Sequence, residues 1–175
     1  MAVPGTLVAM TSRYRARPIE ETALQELRVR DDAGRDCVPF TDGEGGAPLR
    51  CCLRTSAAGE RIALVSYAPL RRWAARAGAD PGAYDEQGPV FIHAGTCAGP
   101  DTAGGYPFAR AGVLRTARRY DARGHILGGR VLDLGEDPEG VIERALSDAF
   151  AEPEVALVHV RAAEFGCFQF EVRRP

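Results

Sequence analysis

Residues 154–173, EVALVHVRAAEFGCFQFEVR, decide the fold. Two strand-like runs, 154–161 and 166–173, flank a short loop around Glu164. Side chains alternate along a strand, so Ala156, Val158 and Val160 share one face of the first run, while Leu157, His159 and Arg161 share the other. In the second run Phe168, Phe170 and Val172 lie together, with Cys167, Gln169 and Glu171 opposite. Pairing symmetric about Glu164 sets Arg161 across from Cys167, His159 across from Gln169, Val160 across from Phe168 and Val158 across from Phe170. One face is then continuous apolar core. The other gathers an imidazole, a guanidinium, a thiol and an amide.

Upstream of this hairpin, Asp137-Pro138 starts a helix with a capping residue and a first-turn proline. Its apolar positions Val141, Ile142, Ala145, Leu146, Ala149 and Phe150 keep helical spacing as far as Glu152-Pro153. Residues 113–120, the turn Asp121-Ala-Arg-Gly124 and residues 125–132 form a second hairpin, with Gly124 in the left-handed position of a bulged turn. Residues 89–93 read as a buried strand. Residues 69–77 read as a helix with Leu70, Trp73, Ala74 and Ala77 on one face and Gly78 as its stop. Arg71, Arg72 and Arg76 fall on the opposite, solvated face. Residues 49–54 and 61–67 read as two short strands joined by a turn at Ala58-Gly59. Residues 31–48, rich in Gly, Asp and Pro, read as a loop. Residues 18–28 carry the stripe Ile19, Ala23, Leu24, Leu27, and residues 6–10 resemble a strand. Short turns between strands and few crossover helices predict an α+β fold, one domain over 1–175, with a largely antiparallel sheet and two or three short helices.

All 22 basic residues among the 175 are arginine. Without lysine there is no Schiff base, no lysine base and no P-loop. A net charge of −2 provides no field for a polyanion, so neither nucleic acid nor a membrane surface is an expected partner. No apolar stretch approaches a membrane span and the first residues lack a signal-peptide pattern, so the expected location is the cytoplasm. The five cysteines, an odd number, then read as thiols rather than as a disulfide framework. The sequence contains no GxSxG, GxGxxG, HExxH or CxxC motif.

Chemistry is therefore sought in thiols, imidazoles and arginines. Cys167 and His159 on the polar face of the terminal hairpin, and Cys97 and His93 at an H-x3-C spacing, are the candidate nucleophiles and bases. A thiol beside a guanidinium or imidazolium has a lowered pKa. Arg161, with Arg50, Tyr67 and Gln169, is a candidate to hold an anionic substrate. Alternatively, Cys52, His93, Cys97, His159 and Cys167 supply more than the four nitrogen and sulfur ligands that zinc takes. Adjacent Cys51 and Cys52 on a strand point to opposite faces, so only one of them reaches any given cavity. Cys37 in the polar loop and His125 after a hairpin turn carry no expected role. Residues 84–87 offer polar groups near the strand that follows.

The chain resembles a bacterial family of small proteins known as a domain of unknown function. The resemblance rests on Arg50-x-Cys52-Leu53, Gly59-Glu60, Tyr67-x-Pro69, Gly88-Pro-Val-Phe-Ile-His93 with Cys97, Tyr120-Asp121, and His159-Val-Arg161 followed by Gly166-Cys-Phe168. It covers roughly residues 48–173. The family pattern has a cysteine where this chain has Leu49. The resemblance implies that these segments belong to one design in which thiols and histidines recur, and it brings no activity, cofactor or ligand. Three functions follow from the residues. The preferred one is a small cysteine- and histidine-dependent enzyme acting on an anionic small molecule, with no cofactor. The others are a zinc-type metal-binding module and a non-catalytic ligand-binding domain.

Overall fold

The structure, a computed structural model, describes residues 12–101 and 105–175. The expected strand at 6–10 lies outside the described residues. Chain order is α1 (Glu21–Leu27), β1 (Phe40–Thr41), β2 (Arg61–Tyr67), α2 (Pro69–Ala77), a short 3₁₀ turn (Gly82–Tyr84) and β3 (Gly88–His93). Then come β4 (Leu114–Tyr120), β5 (Ile126–Asp133), α3 (Pro138–Ala151), β6 (Leu157–Ala162) and β7 (Phe168–Arg173).

The α3 helix begins where its sequence signals lie. The Asp137 carboxylate accepts a hydrogen bond from the Gly140 N–H at 3.0 Å, satisfying one free donor of the first turn, and Pro138 needs no partner there. Ile142, Ala145, Leu146, Ala149 and Phe150 are buried against Ala117, Leu132, Val158, Val160, Phe170 and Val172. These line one face of an antiparallel sheet ordered β5-β4-β6-β7. Burying a side chain such as Ile142 or Leu146 contributes about 2–3 kcal/mol each relative to exposure.

A second antiparallel sheet, β1-β2-β3, is covered by α1. Ala23, Leu24 and Leu27 pack with Ile62, Ala63, Val65, Val90 and Ile92. The α2 helix stops at Gly78, which takes the left-handed conformation at φ +67°. Its Leu70, Trp73 and Ala74 pack on Tyr120 and Leu157, the side of the four-stranded sheet away from α3. The fold is thus α+β with two antiparallel sheets. Among the described residues no helix is long and apolar enough to cross a membrane.

Four expectations are corrected. Residues 49–54 are a turn rather than a strand: Leu53 N–H donates to Leu49 O and Leu49 N–H to Arg54 O, both at 2.9 Å. The reversal depends on Leu53, held at φ +59°, a conformation that costs a non-glycine residue about 1–2 kcal/mol. The 31–48 loop contains a short strand, β1, paired to β2. Arg72 is drawn off the solvated face: it is 17% exposed and holds Asp32 and Glu26, each at 2.7 Å.

The fourth correction concerns register. His159 faces Glu171, Val160 faces Phe170 and Val158 faces Val172, a slip of two residues that preserves both faces. A bulge next to Arg161 then sets Phe168, not Cys167, across from Arg161. Phe168 is thereby turned out of the α3 core and into the core under α1, where it meets Tyr67 edge-on at 5.6 Å. That side chain packs β7 into the core of the three-stranded sheet.

Candidate metal centre

The 49–54 turn is pinned from two sides. Arg50 N–H donates to Phe91 O and Ile19 N–H to Arg50 O, both at 2.9 Å. The Arg50 guanidinium reaches the Phe168 carbonyl at 2.7 Å and also donates to Pro48 O. Burial pulls the Arg50 pKa down to about 10, with Cys167 acting in the opposite sense. Arg50 thus works as a tie between this turn and β7 rather than as an open anion hook.

Because the backbone reverses here, Cys51 and Cys52 do not splay to opposite faces. Both sulfurs face the end of β3. Cys51 Sγ lies 3.3 Å from His93 Nδ1 and Cys52 Sγ 3.8 Å from it, with 4.0 Å between the sulfurs. The His93 backbone N–H also donates to Cys51 Sγ at 3.2 Å. Cys97, four residues beyond His93, completes the group, and all four ligand atoms lie within 4.8 Å of one another.

The electrostatics favour a thiolate. The hydrogen bond from Cys51 pulls the Cys52 thiol down despite burial, with Arg54 and His93 helping. The same hydrogen bond and burial push Cys51 up. Behind the imidazole, His93 Nε2 lies 3.5 Å from Glu60 Oε1 and 3.2 Å from Arg54 Nη2. Arg54 holds that carboxylate through two contacts at 2.6 and 3.1 Å, and Ala57 N–H donates to it at 2.8 Å. The Arg54 hydrogen bond brings the Glu60 pKa down to about 2.

Of the residues singled out from sequence, Cys52, His93 and Cys97 meet here. His159 and Cys167 lie elsewhere. His159 is fully buried on β6, on the face of the four-stranded sheet away from α3, its Nε2 3.0 Å from Glu171 Oε2 and its ring against Tyr120 and Phe168. Cys167 sits in the β6–β7 turn and donates to Phe165 O at 3.7 Å. It lies by a cleft with Arg161 and Tyr67, while Gln169 is buried. Sequence reasoning missed Cys51, Arg54 and Glu60. For Cys51 the adjacent-cysteine pair was the signal, hidden by reading residues 49–54 as a strand.

No curated protein and no solved structure matches the chain. Residues 46–174, which hold Cys51, Cys52, His93 and Cys97, the Glu60 carboxylate and the β6–β7 hairpin, match a family described as a protein of unknown function, DUF1203, and the chain belongs to that family.

Proposed function

We propose that this chain is a metal-binding module that holds a zinc-type ion on Cys51, Cys52, His93 and Cys97. The observation that carries the reading is the convergence of three sulfurs and one imidazole nitrogen within 4.8 Å. A tetrahedral zinc site with ordinary bond lengths has edges of about 3.8 Å between sulfurs and about 3.5 Å between sulfur and nitrogen. The three separations at hand, 4.0, 3.3 and 3.8 Å, already approach these values. Ligation through Nδ1 would put the imidazole proton on Nε2, 3.5 Å from Glu60 Oε1. Arg54 Nη2, a donor 3.2 Å from the same nitrogen, would turn off it onto the carboxylate it already holds, leaving Glu60 to accept in the carboxylate–histidine arrangement that orients metal ligands.

Four protein ligands close a tetrahedral site, and closed sites are structural. The ion would tie the 49–54 turn to the end of β3 and to the segment beyond it, three pieces that otherwise meet through few backbone bonds. A thiol reaction pairing Cys167 with His159 would need the two in hydrogen-bond reach, and each hydrogen-bonds elsewhere. Thiolate ligands also suit the reducing cytoplasm, where we place the chain.

Protein purified without chelator is expected to contain close to one zinc per chain by elemental analysis, and its cobalt-substituted form to show thiolate-to-metal charge transfer. Metal content well below one per chain after zinc is supplied overturns the proposal. Glu60→Gln should weaken metal affinity by about tenfold, with the four ligands intact, as loss of a carboxylate behind a ligating histidine does. A competition titration with a chromophoric chelator measures it.

A further inference from the structure

A cleft of about 300 Å³ opens on the other side of Phe168, between the β6–β7 turn and the segment entering β3. Its apolar wall is Tyr67 and Phe168, with Pro69, Pro89 and the exposed Phe165 around them. Its polar rim is Arg161, Glu86 and Cys167. Glu86 accepts a hydrogen bond from Arg118 and lies 3.6 Å from Arg161 Nη2. Two guanidiniums therefore share one carboxylate. Arg161 is only 12% exposed, and its Nε is already spent on Gly166 O at 2.8 Å. Glu86, in contrast, is 47% exposed on a loop. Burial and then the charge of Arg118 pull the Arg161 pKa down, as expected for a cation without full compensation. Cys167 is near enough to both Arg50 and Arg161 to influence their charge.

We propose that this cleft binds a small organic oxyanion, a carboxylate or phosphate monoester bearing one flat apolar group. Arg161 and Arg118 hold the anion where the Glu86 carboxylate now sits, and Tyr67 and Phe168 take the apolar part. Glu86 is a built-in occupant that the ligand displaces. Planar guanidiniums suit such oxyanions because they donate two parallel hydrogen bonds. The site is independent of the metal centre and shares no ligand with it.

Cys167 on the rim is a ready reporter. Iodoacetate and iodoacetamide both alkylate a thiolate by displacing iodide, so the ratio of their rates at one thiol cancels its thiolate fraction and reads the local preference for an anion. Measured by peptide mass spectrometry, that ratio at Cys167 should exceed the ratio for a free cysteine amide by about tenfold, the scale of focusing by a charged cleft. Glu86→Gln should raise it further, and Arg161→Gln should lower it severalfold toward the free-thiol value, Arg50 and Arg118 remaining. Benzoate and phenyl phosphate should each slow the reaction at Cys167, the better protector identifying which oxyanion the cleft prefers. A ratio at Cys167 equal to that of the free thiol in both the parent and Glu86→Gln, or no protection by either anion, overturns the proposal. Glu86→Gln alters an exposed loop residue, so the test does not depend on how well Arg161→Gln folds.

Discussion

Cys51→Ser is expected to abolish stoichiometric zinc binding and to lower the Tm of the zinc-loaded protein by roughly 10 °C. Zinc held at a thousandfold its Kd stabilises the folded chain by about 4 kcal/mol, and a chain of this size loses about 2–4 °C per kcal/mol. The comparison that matters adds chelator. If Cys51 were only a small buried side chain, serine would cost the same with and without metal. If it is a ligand, the gap between parent and variant is larger in zinc than in chelator. Cys167→Ser and Cys37→Ser should bind zinc as the parent does, because neither sulfur belongs to the group of four. Equal Tm losses for Cys51→Ser in zinc and in chelator would remove the metal centre from this account.

That Cys51 is the informative residue reflects where sequence reasoning stops. The α3 helix was legible because cap, first-turn proline and apolar stripe all agree, and the 113–132 hairpin because turn chemistry and alternation agree. Residues 49–54 offer only Leu-Arg-Cys-Cys-Leu-Arg, which satisfies a strand pattern. Nothing in it announces that Leu53 adopts a left-handed conformation, because the reversal is enforced from outside by β3 and by Arg50 on the Phe168 carbonyl. Sequence reasoning therefore named Cys52, His93 and Cys97, and the fourth member of the group, Cys51, depended on a tertiary contact.

The terminal hairpin shows the complementary limit. Alternation has period two, so a register slipped by two residues yields the same two faces and no pattern argument detects it. The slip nevertheless changes the chemistry. It gives His159 a carboxylate partner in place of an amide, and the bulge carries Phe168 across the sheet, separating Cys167 from the imidazole. The cleft beside Cys167 is lined by Arg161 and by Glu86, which also pairs with Arg118, residues from distant segments that no local motif joins.

The buried His159–Glu171 pair leads to the largest expected effect outside the metal centre. Glu171 is 7% exposed and accepts from His159 Nε2 at 3.0 Å and from Arg173 Nε at 2.6 Å. Burial pushes its carboxyl up, but the His159 hydrogen bond and Arg173 outweigh it and the net pKa is low. For His159, burial pulls the pKa down and outweighs the Glu171 hydrogen bond, and Arg161 and Arg118 add to the lowering. The buried Nδ1 has no partner among the described residues, so imidazolium would hide an unmatched donor. Glu171→Leu leaves the buried His159 N–H without its acceptor and Arg173 with Glu20, and should cost about 3 kcal/mol by urea unfolding. Adding His159→Phe, which replaces both members by apolar groups, should recover most of it. The sign of the pH dependence follows. The unfolded chain takes up the His159 proton as pH falls below about 6.5 while the folded chain resists, so stability falls in that window by about 1.4 kcal/mol per pH unit. Glu171, with its folded pKa lowered, adds a further loss below about pH 4.5 in the same direction. Urea midpoints of the parent should therefore fall between pH 7 and 5.5 more steeply than those of His159→Phe, a comparison that cancels any proton uptake at the metal ligands. Parallel slopes would mean that His159 titrates alike in the folded and unfolded chain.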